Sequence, residues 1–247
     1  MFIILRKRNI AWFLSAMLFF GVSWSGYHLA MHPAMKKWQQ ENILVSKIDT
    51  EEKVVALTYD DGPDPVNTPA VLDALKKHKA QATFFVLGKR VAAQPEIIKR
   101  MKAEGHEIGS HGYSHPDYNK YKKAGIADDI IRTSEAIRKA SGDNPSWFRP
   151  PGGYLSYDMV DICREHNLTI AYWTYQQDSK DWRNGVGAGQ IAGHITRHLE
   201  PGQIIVLHDG APNGLQTAKA TDLLLSALKK QGYRVVTMSE LIKAGKQ

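Results

Sequence analysis

Two adjacent carboxylates, Asp60 and Asp61, stand where the apolar run Val54-Val55-Ala56-Leu57 gives way to Gly62-Pro63. Alternation along a strand sends neighbouring side chains to opposite faces, so one carboxylate can bind a metal while the other stays free as a base. About fifty residues on, a strand-like run ends in His111-Gly112-Tyr113-Ser114-His115. Two imidazoles four residues apart share a face if the segment is helical, and can converge on one ion from a tight loop. One Asp and two His form an incomplete ligand set with positions left for water and substrate. That suits a catalytic metal better than a structural one.

Each fragment alone is ordinary. Asp-Asp-Gly-Pro is common turn chemistry. A second His-x-x-x-His, His194-Ile195-Thr196-Arg197-His198, has no strand-end carboxylate beside it and reads as a structural pair on a surface helix. The first pair is set apart by other strand ends. Short apolar runs at 54–57, 82–86, 107–110, 147–149, 169–173, 203–207 and 234–237 alternate with helix-like stretches at 69–78, 95–104, 126–140, 157–166, 190–199 and 217–230. This alternation predicts an α/β fold on a parallel sheet, open or closed into a barrel.

Ligands of such folds bind beyond the carboxyl ends of the strands. The first strand is followed by Asp60 and Asp61, the third by His111 and His115, and the fourth by Arg149-Pro150-Pro151-Gly152-Gly153. The fifth precedes Asp178-Ser179-Lys180-Asp181-Trp182, and the sixth ends in Leu207-His208-Asp209. Apolar strands thus carry polar, titratable or backbone-donor groups at one shared edge.

A chain of 247 residues, 43% hydrophobic, can bury one sizeable core plus an extension. Arg6-Lys7-Arg8 followed by an uncharged apolar stretch over 10–27, with Trp12, Trp24 and Tyr27 near its ends, predicts a signal anchor or a cleaved signal peptide over 1–30. Either places the remainder outside the cell, at the membrane or secreted. Residues 31–50 read as a polar spacer and 51–245 as the functional domain. Cys163 is the only cysteine, so no intrachain disulfide forms, and a buried thiol is expected. The net charge of +7 suits an anionic membrane or wall surface. No nucleic-acid motif accompanies the scattered basic residues, and no obligate protein partner is expected.

In order and spacing, the five polar segments resemble the motifs of the polysaccharide deacetylases with a NodB-homology domain, carbohydrate esterase family four, over residues 53–243. The resemblance implies a distorted (β/α) barrel, one divalent metal ion (zinc first, with cobalt, manganese or nickel as alternatives) and removal of acetyl groups from N- or O-acetylated sugars. It implies Asp60 as general base, Asp61, His111 and His115 as metal ligands, and His208 as general acid. Arg149 is then the cation paired with Asp60, and Asp181, or less readily Asp178, the carboxylate behind His208. Gly152 would supply a backbone N–H, while Trp182 and Val206 would line an acetyl pocket. Many members carry an aromatic where this chain has Gly152, and Tyr154 is the residue placed to fill that space.

Peptidoglycan N-acetylglucosamine is the first substrate to expect from an exported basic domain. Chitin oligomers, other exopolysaccharides, N-acetylmuramic units and acetylated xylan are alternatives. Two readings from other classes compete. A wall-binding module of the same fold would need no Asp60–His208 pair, and an iron oxygenase using two His and one carboxylate would not need the surrounding Asp, Arg and His.

Overall fold

The computed structural model describes residues 34–245. The apolar segment expected as an N-terminal helix lies outside the described residues, and among these no helix is long and apolar enough to cross a membrane. The described residues fall into two units, divided between Glu41 and Asn42. The described part of the first contains one short helix, α1 (Met35–Gln40).

The second unit begins with β1 (Leu44–Val45), β2 (Val54–Asp60), α2 (Asn67–His78), β3 (Thr83–Val86), α3 (Gly88–Ala93), α4 (Pro95–Ala103) and β4 (Glu107–Ser110). It continues through α5 (Lys123–Ser141), β5 (Trp147–Phe148), α6 (Tyr157–Glu165), β6 (Thr169–Ala171) and α7 (Ala188–Arg197). β7 (Ile204–His208), α8 (Gly214–Lys230), β8 (Arg234–Val236) and α9 (Met238–Lys243) complete it. All strand pairs are parallel, in the order β1-β6-β5-β4-β3-β2-β7, with β8 also paired to β2.

β2 is buried along its whole length, which is why it reads as a continuous apolar run. Its alternate side chains serve two cores. Val55, Leu57 and Tyr59 pack with Leu72, Leu75, Ile195 and Leu224 of the covering helices. Val54 and Ala56 pack with Phe85, Trp147, Ala171, Ile204 and Met238 inside the curl of the sheet. Continuing the inner alternation, Thr58 and Asp60 bring polar groups to the carboxyl end of that interior.

The expected barrel is a curled half-barrel. Between β6 and β7 regular pairing is replaced by a Thr174 N–H donated to Ile204 O at 2.9 Å and an isolated bridge between Asp178 and Val206. β6 ends after three residues, so its continuation reaches β7 only at these points. The stretch read as polar spacer contains a strand: Leu44 pairs with Ile170 and Val45 with Ala171. Cys163 is buried in α6, where burial pushes its thiol up to about 12, leaving it inert at neutral pH.

Candidate active site

The strand register assembles the site. Asp60 and His208 are cross-strand partners at the ends of β2 and β7, which sets the expected base beside the expected acid. Ser110 pairs with Phe148, and the ladder continues one residue further as Arg149 N–H donates to Ser110 O at 2.8 Å. His111, just beyond Ser110, donates its own N–H to Val86 O at 2.9 Å. Groups from β2, β4, β5 and β7 therefore stand within one residue of the same sheet edge.

Asp60 and Asp61 do not point to opposite sides as alternation predicts. Asp61 takes a left-handed φ of 73°, which ends the strand geometry and turns its carboxylate back towards the site. His111 Nε2 lies 4.0 Å from Asp60 Oδ2 and 3.6 Å from Asp61 Oδ1, and His115 Nε2 lies 3.7 Å from the same Asp61 oxygen. His115 has a φ of 59°, so the pair converges from a loop and not from a helix face. Left-handed geometry at residues carrying a β-carbon costs on the order of 1–3 kcal/mol each and concentrates at functional sites. Gly62 permits the turn: a β-carbon there would lie 2.3 Å from an Asp209 carboxylate oxygen. Thr68 donates its hydroxyl to that carboxylate. Burial, with the charges of Asp61 and Asp60, pushes Asp209 up to about 7 against this hydrogen bond.

The Asp61–His111–His115 group fits a divalent cation by three tests. Their ligand atoms lie within 4.8 Å of one another, the single such cluster among the described residues. Asp61 Oδ1 is buried without a hydrogen-bond partner, an arrangement that costs free energy unless a cation or water meets it. His111 Nδ1 is 2.7 Å from Arg149 O, a pure acceptor, so Nδ1 carries the proton and Nε2 turns its lone pair to the site. Burial pushes His111 below its ordinary range, favouring the neutral ring that ligation needs.

Arg149 is fully buried and pinned. Its Nη1 donates to Asp60 Oδ1 at 2.8 Å and Thr58 Oγ1 at 2.7 Å, and its Nε and Nη2 donate to Ala171 O and Tyr172 O at 3.2 and 3.3 Å. Its guanidinium carbon lies 4.1 Å from the centre of the Phe85 ring. Burial pushes its guanidinium below the usual range, and Asp60 offsets part of that by attraction and hydrogen bonding. Truncating either member of such a pair strands a buried charge. The arrangement ties up Asp60 Oδ1 and leaves Oδ2 facing the histidines.

Asp181, fully buried, organises the other flank. Its Oδ1 accepts from His208 Nδ1 at 2.9 Å, and its Oδ2 accepts the His208 backbone N–H and the Thr217 hydroxyl, both at 2.7 Å. Asn213 Nδ2 holds the same segment through Asp181 O at 2.8 Å and Val186 O at 2.9 Å. Burial opposes a charged His208, but the Asp181 hydrogen bond and charge, helped by Asp60 and Asp61, outweigh it and push the imidazole up to about 9. Asp178 instead pairs with Lys180.

These groups open on a cavity of about 640 Å³ lined by Asp60, Asp61, His111, His115, Gly152 and His208. Trp182 and Val206 also border it, while Arg149 and Asp181 stand behind the lining. Gly152, with a φ of 62°, leaves open space where a β-carbon would point. Tyr154 does not fill that space. It follows two left-handed glycines, and its ring packs 5.9 Å from that of Tyr118, away from the cavity lining. Leu87 and Trp173 are apolar lining residues that the motifs did not flag, and Asn213 and Thr217 are supports that they did not flag. A lone buried hydroxyl or amide has no periodic signature, so only the fold reveals these supports.

A family model described as polysaccharide deacetylase matches residues 47–171. A peptidoglycan-N-acetylglucosamine deacetylase of Bacillus cereus is 38% identical over 84% of this chain and 97% of its own length. A peptidoglycan-N-acetylmuramic acid deacetylase of Bacillus subtilis is 33% identical over 90% of this chain and 86% of its own. The crystal structure of the Bc1960 peptidoglycan N-acetylglucosamine deacetylase superposes with a TM-score of 0.80 at 33% identity, covering 88% of this chain and 99% of that one.

Proposed function

The chain belongs to the polysaccharide deacetylase family, and we propose that it hydrolyses the acetamido group of N-acetylglucosamine units in peptidoglycan. The observation that carries this reading is one cavity with a base–arginine pair on one side of the Asp61–His111–His115 cluster and an acid–carboxylate pair on the other.

Asp61, His111 and His115 would hold the divalent cation, zinc in this reading. When bound, it supplies Lewis acidity to water and to the acetyl carbonyl. Asp60, oriented through Oδ1 by Arg149, takes the proton from the attacking water at its free Oδ2. The water oxygen bonds to the acetyl carbon, and the Gly152 N–H is the chain's donor to the developing oxyanion. One such donor contributes about 3–4 kcal/mol in comparable sites. As the C–N bond breaks, His208 gives a proton to the departing amine, because a neutral amine leaves far more readily than an amide anion. Its Nδ1–H is held by Asp181, so Nε2–H is the proton presented to the cavity. Leu87, Trp173, Trp182 and Val206 offer apolar surface to the acetyl methyl. Free amine and acetic acid leave with one proton on Asp60 and one fewer on His208; the acid ionises to acetate in water, and exchange with solvent resets both residues.

The cationic start and apolar run over 10–27 support a location at the cell membrane with this domain outside, and the net charge of +7 supports contact with an anionic wall. Mass spectrometry of purified peptidoglycan and chitin oligomers, incubated with zinc-loaded protein, tests the reading. Loss of acetyl mass from glucosamine units of peptidoglycan is expected. Unchanged masses in every polymer would refute it.

A further inference from the structure

Resting on the deacetylase reading, we propose that Lys89 is a specificity-determining residue that binds a carboxylate carried by the glycan next to the acetamido sugar.

The cavity lining contains three carboxylates, Asp60, Asp61 and Asp178, and three basic side chains, Lys89, Arg90 and Lys180. Almost all are committed. Asp60 is held by Arg149, Asp178 by Lys180, and Asp61 faces the two histidines. Arg90 Nη1 donates to Gly210 O at 2.8 Å, which ties it to the loop after β7. Lys89 differs: it is exposed, and its ammonium has no hydrogen-bond or ion-pair partner among the described residues. Its backbone is nonetheless fixed to the ligand loop, with Gly88 N–H donating to Gly112 O at 3.0 Å and Lys89 N–H to Tyr113 O at 2.9 Å. A lysine with an anchored backbone and an uncommitted ammonium thus lines the cavity, beside the segment that carries His111 and His115.

A neutral sugar gains little from such a group, because its hydroxyls replace water with no change in charge. A carboxylate gains Coulomb attraction, strengthened where a concave wall limits solvent. The two relatives described above differ in this chemistry, one being named for N-acetylglucosamine and the other for N-acetylmuramic acid, a sugar with a carboxylate. An exposed ion pair of this kind is modest and screened by salt, so the expected preference is about fivefold at low ionic strength.

The test uses full-length, zinc-loaded protein and peptidoglycan strands stripped of peptides, either with free sugar carboxylates or with those carboxylates amidated. A third arm keeps the stem peptides. Acetate release should give a kcat/KM about fivefold higher on free than on amidated strands, shrinking towards parity at high salt. Lys89→Met should bring the ratio near one, and Lys89→Arg should restore it. Binding of the same strands to metal-free protein, by calorimetry, should show the same order. A preference confined to peptide-bearing strands would assign the carboxylate to the peptide and overturn its assignment to the glycan. A wild-type ratio of one in every arm, or an unchanged ratio in Lys89→Met, would overturn the proposal. Absence of acetate release from all strands would instead remove the deacetylase reading on which it rests.

Discussion

Two His-x-x-x-His pairs among the described residues have nearly the same ring separation, 5.3 Å for His111–His115 and 4.9 Å for His194–His198. Their surroundings differ completely. In the second pair, on α7 and at its C-terminal cap, His194 Nε2 bonds Gln176 O and His198 Nδ1 bonds the His194 carbonyl, each at 2.9 Å. Both rings spend a nitrogen on local backbone, and no carboxylate oxygen completes a cluster there among the described residues. In the first pair, the one backbone hydrogen bond, from His111 to Arg149 O, aims the opposite nitrogen at a buried, unpartnered Asp61 oxygen. Spacing is therefore a poor guide to ligation. The deciding features are what occupies each second nitrogen and whether a strand-end carboxylate lies opposite.

That contrast can be broken or sharpened by experiment. Asp60→Asn removes the proposed base beside the first pair and should lower turnover by about 10²–10⁴ with the fold intact, measured as acetate release. His111→Ala should weaken zinc binding by at least about a hundredfold in calorimetric titration, whereas His194→Ala and His198→Ala should leave it within error. Equal losses from the two pairs would erase the distinction.

Asp181→Asn tests the other flank. In metal-free protein the His208 ring should titrate near 9, and the variant should fall towards the ordinary 6.5 when followed by NMR. Because the folded pKa lies above the unfolded one, this interaction stabilises the fold fully below pH 6.5 and is lost as pH rises through about 9. Asp181→Asn should therefore narrow its stability deficit over that interval. The smallest effect is expected from Thr217→Val, which removes one hydrogen bond to Asp181 and should cost about 1 kcal/mol in denaturant unfolding.

Much of this architecture is legible in the amino-acid pattern. β4 spans Glu107–Ser110 as its apolar run indicates, and the helix-like stretches at 69–78 and 217–230 lie within α2 and α8. Long periodic segments bury one face, so their pattern survives in sequence. β1 did not show, because two residues cannot display alternation, and α3 did not show because six residues after a strand look like loop. The motif residues Asp60, Asp61, His111, His115, Arg149, Asp181 and His208 could be placed at one sheet edge because each follows an apolar strand. The direction of the Asp61 side chain could not, since it depends on a left-handed φ at a residue that usually avoids one. The position of Tyr154 was also beyond reach, because two successive glycines leave the chain direction open.

The central claim is that Asp61, His111 and His115 share one cation, and anomalous diffraction at the zinc edge from crystals of zinc-loaded protein tests it most directly. A peak about 2.0–2.2 Å from Asp61 Oδ1, His111 Nε2 and His115 Nε2 is predicted. A peak at His194 and His198, or none at the first cluster, would contradict the account.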